Sequence, residues 1–597
     1  MGKPLPITDT EKINPYYSKQ RQNRDYANSQ KLNIFGIDTE ARDGDIFLLA
    51  DSDGRYIDEF DGITGKSVLD FLFHRKYQNS WNFFYFLTYD NDVILKLLGT
   101  TLNAYKKTGD LSFDYENYHV RVIGGTKIKQ LSIKKGHKSA IFYDIAQFCQ
   151  GGLVNAYEKN IQKIPDEYKK LKLKRDQFSK RFYSNNRNKI RQYCIQDCIY
   201  TKELSEHFVK TFSNAFSFYP KRWISSGYLA EKVIINNNVK IPFFNDIPFE
   251  IQQMANCCYF GQRTEIFWRG FIGKAYIYDI NSAYLYALAQ FPDLNDGQWV
   301  RRKSIHINAR LGFFKIETNI PDLKMIPPFA FKKHGGNYFP SGKFVTFCTL
   351  EELKMCEKKS YYKILDSHQF ITNSKNYPFK DFIYELYEKR LKMKNEKNPM
   401  QLPIKLILNS IYGKTGQNIK GEIGNLYNPI IFRFIQGYVR AMLYNFKNKH
   451  NLEYDTVAFA TDSICTPKKL DIDSDEIGEF SLEKSGDDVY FLQNGYYRVN
   501  NIWKSRGMGK LNGKTIEHLD TFTRNGKLYM KYVENRVEHV RSCILQNRIE
   551  DIGKFKEKIK NIDLNADKKR NWGGDTLDGI NRKMQKSISI SLNYFEI

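Results

Sequence analysis

The first 32 residues are polar and irregular, rich in Asn, Gln and Lys, and carry no apolar period; they predict an N-terminal arm. From Asn33 the texture changes. Short apolar or alternating runs (NIFGID, DIFLLA, AIFYDI) alternate with helically spaced segments, an α/β pattern. That region closes in a predicted helix around 187–210, and a second mixed region follows from about Ala215. Its clearest elements are a strand at 275–280, a helical hairpin near 380–415 and a β-hairpin near 454–466. The helical hairpin breaks at Asn398-Pro399, since the residue before proline disfavours helix. No internal repeat is visible.

With 597 residues, 41% of them hydrophobic, the chain can bury the cores of several domains. It has no uncharged apolar run of eighteen residues and no signal-like apolar segment near Met1, so neither membrane insertion nor secretion is expected and a cytoplasmic location is. Nine scattered cysteines, an odd number without paired C-x-x-C spacing, read as reduced structural thiols. Ninety-two Lys and Arg against 67 Asp and Glu give a net charge of +25. That excess points to a polyanionic partner, or to a solvated lysine surface in a chain rich in Asn, Lys, Tyr and Ile. The basic stretch Lys159–Arg191 has the same two readings, an exposed helical face or a phosphate-facing rim.

Chemistry enters with the acids. In Ile34–Ala41, Asp38 and Glu40 stand two apart at the end of an apolar strand, so both side chains point the same way. Two such carboxylates repel, and a divalent cation between them removes the conflict. A second apolar run, Tyr85–Asp90, also ends in an acid, and Tyr193 and Asp197 lie i, i+4 on one helical face. Four carboxylates and a phenol are the equipment of two-metal phosphodiester hydrolysis, with ions about 4 Å apart.

A second set lies downstream. Asp279 ends the strand Ile277–Ile280, Asn281 or Ser282 is suited to cap the helix that follows, and Tyr284 offers a flat floor for a nucleotide. In Lys405–Lys414 the residues Lys405, Asn409 and Tyr412 share one helical face, while Ile404, Leu408 and Ile411 form the apolar stripe. Arg390 and Lys394, i, i+4 in the preceding helix, can converge with Lys405 on a triphosphate. Asp462 sits in the turn of Val457–Ile464, and pairing that hairpin with the strand of Asp279 brings two acids together as a metal site for nucleotidyl transfer.

In this order the motifs resemble those of family B DNA polymerases, and the form Lys-x-x-x-Asn-Ser-x-Tyr-Gly is similar to the protein-primed branch of phages, linear plasmids and viruses. The resemblance covers residue 33 to the C-terminus. It implies an α+β and α/β chain: an RNase H-like 3′–5′ exonuclease domain followed by a right-hand polymerase of palm, fingers and thumb. The implied division is an arm (1–32), exonuclease (33–214), linker motif, palm and terminal-protein-type insertion (215–375), fingers (376–415), palm (416–510), and thumb with the C-terminal region (511–597). It makes Asp38, Glu40, Asp90, Tyr193 and Asp197 the hydrolytic set. Asp279 and Asp462, with the Ile280 carbonyl, become the ligands of the synthetic site, each site taking two Mg²⁺ with Mn²⁺ as a substitute. Tyr284 would exclude a 2′-hydroxyl, Tyr412 would pack over the nascent pair, and Arg390, Lys394, Lys405 and Asn409 would hold the nucleotide. Tyr259 and Gly261 of YFGQR resemble the linker motif that guides the primer strand; Gly413, Lys414, Tyr496 and Lys510 would contact DNA. The implied partners are a DNA primer-template, dNTPs, a terminal protein as primer and a single-stranded DNA-binding protein, with the chain itself a monomer.

The sequence departs from the family at several points. Ala460 replaces the first acid of the usual Asp-Thr-Asp, Asn494-Gly495-Tyr496 stands where Lys-x-Tyr is usual, Phe86 replaces a primer-binding Asn and Ala41 a hydroxyl residue. Between Lys414 and Tyr427 only about a dozen residues remain, too few for the family's second insertion, so weak strand displacement is expected. Two rival readings are a non-catalytic DNA-binding relative decayed from a polymerase and an enzyme active only as an exonuclease.

Overall fold

The computed structural model describes residues 30–99, 111–124, 127–149, 151–174, 178–237, 239, 246–322, 324–333, 336–419, 422–506, 521–525, 527–565, 567–572 and 584–594. Most of the expected arm, and Lys510 with its neighbours 507–509, lie outside these residues.

The N-terminal unit is built on a mixed sheet ordered Tyr56–Asp58, Asp45–Asp51, Asn33–Arg42, Ser80–Phe84, Lys138–Asp144, Ile128–Lys135, Tyr118–Gly124, Leu111–Tyr115. Only the two central pairings, Asn33–Arg42 with Ser80–Phe84 and Ser80–Phe84 with Lys138–Asp144, are parallel. The burial of Ser80–Phe84 is unbroken, as a central parallel strand requires. Helix Arg187–Phe216 crosses this sheet. It runs to Phe216 rather than ending near 210, because Phe208, Val209, Phe212 and Phe216 continue its buried stripe. The crossing is so close that a Cβ on Gly36 would lie 1.9 Å from the Cys198 carbonyl oxygen, so only glycine fits.

A second sheet is ordered Ile502–Ser505, Tyr496–Val499, Phe480–Gln493, Trp268–Ile280, Ser463–Thr466, Ala458–Ala460, Thr264–Ile266. The expected strand at 275–280 is the last part of Trp268–Ile280, which starts earlier and bends at Gly270 and Gly273, both at positive φ. Helix Pro429–Lys449, capped by Asn428 with proline in its first turn, covers one face. Helices Lys380–Asn395 and Gln401–Thr415 form the hairpin that breaks around Pro399, and Ile404, Leu408 and Ile411 are buried in it. Helix Ser226–Asn236 packs along Gln401–Thr415, and Ser410 donates to the Ser226 hydroxyl at 3.0 Å.

The span between Asp279 and the helical hairpin carries its own sheet, Gln298–Arg301, Tyr362–Ile371, Ala309–Thr318, Ser341–Thr349 and the C-terminal strand Ser591–Tyr594. That last strand runs parallel to Ser341–Phe344, a long-range return that no local pattern announces. Buried Arg570 holds the segment that leads to it: its guanidinium donates to Glu265 (2.7 Å), to the Met325 carbonyl (2.7 Å) and to the Ser587 hydroxyl.

Strands Thr521–Arg524, Lys527–Val537 and Phe555–Asp563 form a small sheet whose connecting helix, Val540–Leu545, docks on the N-terminal unit. Val540, Cys543, Ile544 and Ile552 join the core of Phe84, Leu87 and Val93. At this seam His539 Nδ1 lies 2.7 Å from Oδ2 of buried Asp92, and the hydrogen bond holds the imidazole above its ordinary pKa, while burial pushes Asp92 up. A base raised on folding contributes stability fully below its unfolded pKa of 6.5 and loses it as pH rises through the higher folded value. His539→Gln is therefore expected to lower the melting temperature at pH 6 and to change it little at pH 8.5, checked by thermal unfolding at both.

Candidate active sites

The N-terminal unit gathers four acids. Asp38 and Glu40 come from Asn33–Arg42, immediately before a bulge between Glu40 and Ala41. Asp90 does not end a strand: Tyr85 and Phe86 leave the sheet, Phe86 takes a left-handed φ of 66°, and Asp90 falls in the first turn of helix Leu87–Leu97. A negative charge suits that end of a helix. The Thr39 amide and hydroxyl both donate to Asp90 Oδ1, at 3.1 and 2.6 Å, which fixes the carboxylate beside the strand of Asp38. Asp197 arrives from helix Arg187–Phe216. Burial, then the mutual repulsion of the acids, holds Asp90 and Asp197 well above the usual carboxylate range.

Donor atoms of Asp38, Glu40 and Cys194 lie within 4.8 Å of one another. Carboxylate oxygens that repel at this distance fit a hard divalent cation. Tyr193 is buried and stacks on Tyr168, centroids 5.2 Å apart. Tyr168 donates to Asp197, and Lys172 Nζ lies 3.1 Å from both Asp197 oxygens. Neither was singled out from the sequence, although Lys172 belongs to the basic stretch. Other cations of that stretch, Arg187 and Arg191, are spent on buried Asp58 instead.

The second constellation is built by the larger central sheet. Asp279 is in register with Ser463 on one neighbour and Ser481 on the other, and the Ile280 amide donates to the Asp462 carbonyl at 3.0 Å. Residues 183 positions apart in the chain thus become neighbours. The turn costs conformational energy: Thr461 has φ 73° and Ser282, across the site, φ 51°, each a left-handed conformation of about 1–2 kcal/mol for a residue with a Cβ. Ser282 does occupy the N-cap position of helix Ala283–Ala289, but its side chain caps nothing, because this backbone turns it away; it accepts instead from Arg390 at 3.1 Å. Asn281 donates to the Ser474 carbonyl. The expected capping by either residue is therefore overturned.

A cavity of about 810 Å³ opens here, lined among others by Asp279, Ile280, Tyr284, Arg390, Lys394, Lys405, Asn409, Tyr412 and Asp462. Burial, then Asp462 and Glu483, pushes Asp279 up to about 7; burial pushes Asp462 up to about 6, and Lys405 opposes both shifts. The rings of Tyr284 and Tyr412 stack at 4.3 Å. Lys394 reaches Asp475 at 3.1 Å, and Arg390 Nε is buried without a hydrogen-bond partner among the described residues.

Glu483, Tyr497, Lys504 and Arg506 also line the cavity and were not picked out from the sequence. Glu483 was legible only through strand pairing, since Ser481 is the residue opposite Asp279. Tyr496 is placed differently from its neighbour. Its hydroxyl donates to the Arg506 carbonyl and its ring packs away from the cavity, while Tyr497 faces it. Adjacent residues of strand Tyr496–Val499 point to opposite faces, and Gly495, at φ 84°, makes the turn that precedes it. Lys414 is tied to buried Glu231 at 2.8 Å, and Gly413 is exposed with open space around it. Tyr259 and Gly261 lie against helix Pro429–Lys449, whose Arg440 donates to the Phe260 and Gly261 carbonyls at 2.7 and 3.2 Å.

Against known proteins, residues 127–428, half of the chain, match the model of the family described as DNA polymerase type B, organellar and viral. The chain belongs to that family. The polymerase is 23% identical over 561 residues to a DNA polymerase of Acidianus bottle-shaped virus (isolate Italy/Pozzuoli), covering 87% of this chain and 82% of the relative. It is 29% identical over 297 residues to a probable DNA polymerase of Ascobolus immersus, covering 46% and 23%. Its fold is similar to that of Phi29 DNA polymerase complexed with primer-template DNA and incoming nucleotide, with a TM-score of 0.60 at 15% identity over 89% of this chain and 100% of that one. The fold is the one the motifs implied, an RNase H-like unit followed by a right-hand polymerase. DNA polymerases of this family use divalent metal ions. No helix among the described residues is long and apolar enough to cross a membrane.

Proposed function

We propose that the polymerase joins deoxynucleotides to a primer end in the cavity of Asp279 and Asp462 and hydrolyses 3′ ends at Asp38, Glu40, Asp90 and Asp197, with the domain limits given above. The observation that carries this is the convergence of the repelling acids Asp279 and Asp462, five Lys and Arg side chains and two stacked tyrosines on one cavity of about 810 Å³. Asp279, Asp462 and the Ile280 carbonyl would hold two Mg²⁺, with Mn²⁺ as a substitute, and the four acids of the N-terminal unit would hold a second pair. When bound, such ions supply charge neutralisation and Lewis acidity. Arg390, Lys394 and Lys405 bind the triphosphate and offset the negative charge that builds up as the primer 3′-hydroxyl displaces pyrophosphate from the α-phosphorus. Tyr284 lies under the sugar and Tyr412 over the nascent pair, so the two rings part to admit a base. Lys172 and Tyr168 hold Asp197 in place for hydrolysis.

The partners are a DNA primer-template, dNTPs, a terminal protein as primer and a single-stranded DNA-binding protein; the polymerase works as a monomer in the host cytoplasm. The resemblance of Lys405–Lys414 to the protein-primed branch, and the folded span 298–371 between Asp279 and the helical hairpin, favour priming on a protein hydroxyl. Incubation with labelled dATP, template and candidate primers tests this: label on a protein band that survives denaturation supports it, and label on oligonucleotide primers alone refutes it.

Among the described residues, the place of a second insertion holds just the two-residue strands Asn418–Ile419 and Glu422–Ile423. On a primed circle without helicase or binding protein, synthesis is therefore expected to stop near one circumference, read on an alkaline gel.

A further inference from the structure

Several buried cations in this protein are answered by carboxylates: Arg440 by Glu352, Arg263 and Arg570 by Glu265, Lys447 by Glu453, Lys414 by Glu231. Two of the remaining deeply set arginines have no such carboxylate among the described residues. One is Arg390, which lines the nucleotide cavity. The other is Arg433, on helix Pro429–Lys449 and outside that cavity. Its guanidinium lies 3.8 Å over the Tyr259 ring and 4.9 Å over Phe432, its Nη2 reaches Asn256 at 3.4 Å, and its Nε is buried with no hydrogen-bond partner among the described residues. Rings attract the cation without neutralising it.

A second cation adds to the imbalance. Lys332, on the hairpin Phe331–Lys333 and Gly336–Tyr338, places Nζ 5.3 Å over the same Tyr259 ring. Burial and the nearby Arg433 both push its pKa down, so the two positive groups repel. An uncompensated pair of cations held near one partly exposed ring is a seat for an anion, and an Arg–Lys pair suits phosphate. The seat continues the aromatic ladder of the nucleotide cavity. Tyr284 stacks on Tyr412 at 4.3 Å, Tyr412 on Phe432 at 6.0 Å, and Phe432 meets Tyr259 at 6.4 Å.

Resting on the reading of this cavity as the polymerisation site, we propose that Arg433 and Lys332 bind one phosphodiester of a DNA strand running past Tyr259, whose ring packs on the adjoining nucleoside. The strand is either template or primer; both present the same phosphate. Neither residue belongs to a motif recognised in the sequence.

The test is binding of fluorescent primer-template across a salt series, with uncharged methylphosphonate linkages placed one at a time in either strand. Wild type is expected to lose affinity at one or two linkages, and the strand that carries them identifies the source. Arg433→Gln and Lys332→Ala are each expected to make the slope of log affinity against log salt shallower by about 0.7–0.9 and to abolish the penalty at that linkage. Arg433→Lys should restore most of the slope. Unchanged slopes in both variants overturn the proposal, and so does a weaker affinity with an unaltered linkage map, the mark of a merely structural role. Should Arg433→Gln not fold, Lys332→Ala, on a surface hairpin, decides alone. Wild type that binds no primer-template would instead sink the polymerisation site itself.

Discussion

Asp279→Asn and Asp462→Asn are each expected to reduce nucleotide incorporation on a primed template by on the order of 10³-fold, about 4 kcal/mol of transition-state stabilisation, while leaving 3′-end hydrolysis unchanged. Strand pairing brings the two acids together: Asp279 is in register with Ser463, and the Ile280 amide donates to the Asp462 carbonyl at 3.0 Å. Ala460 contributes no carboxylate to the turn, and Glu483, which adds to the repulsion on Asp279, comes from the opposite neighbour strand. Misfolding is a poor account of such a loss. An acid whose folded pKa is raised from 3.8 to about 7 destabilises the metal-free protein above pH 7, and the penalty fades as pH falls toward 4. Asp279→Asn removes that penalty, so in chelator at pH 8 this variant should melt at or above wild type. Added divalent metal should stabilise wild type at pH 8 and the variant little. Primer extension, 3′-end hydrolysis and the two melts together decide. A variant that extends primers within tenfold of wild type would remove Asp279 from the reaction.

How far the sequence reached depended on the range of each signal. The helix carrying Tyr193 and Asp197 was legible because its period repeats over many turns, and its end was underestimated only because Phe212 and Phe216 continue the buried stripe past the polar Lys210. The helical hairpin was legible because proline marks its break and Ile404, Leu408 and Ile411 mark its buried side. Asp90 was found as an acid after an apolar run, yet its position on a helix rather than a strand depends on the left-handed turn at Phe86, which no pattern of aromatic residues announces. The return of Ser591–Tyr594 to Ser341–Phe344 and the burial of Arg570 on Glu265 depend on contacts across some 250 to 305 positions, as the register and hydrogen bonds show. Those are set by packing, not by local spacing. The same reason hid Lys172, Glu483 and Lys504, whose roles follow from what faces them and not from their own neighbours in the chain. Spacing alone does not show which of two adjacent tyrosines enters the cavity: Tyr496 and Tyr497 differ by a single step along a strand and so point to opposite faces.

The second large effect lies in the other centre. Asp38→Ala combined with Glu40→Ala is expected to lower 3′-end hydrolysis by on the order of 10³-fold or more and to leave incorporation at Asp279 and Asp462 intact. The two acids share one strand and one direction, and Cys194 offers the only other metal-binding donor atom grouped with them among the described residues. Removing both leaves Asp90 held by Thr39 and Asp197 held by Tyr168 and Lys172, positions that do not depend on Asp38 or Glu40. The remaining pair is insufficient: each is already driven toward its protonated form by burial, and a protonated acid is a poor ligand. Loss of the two negative neighbours should also let Asp197 ionise more easily, since Asp38 and Glu40 are the first charges raising its pKa after burial. The measurement is release of labelled nucleotide from a single strand, run beside primer extension on the same preparation. Simultaneous loss of both activities would mean that the two centres are not separate, and the division of labour between the N-terminal unit and the cavity of Asp279 would fall with it.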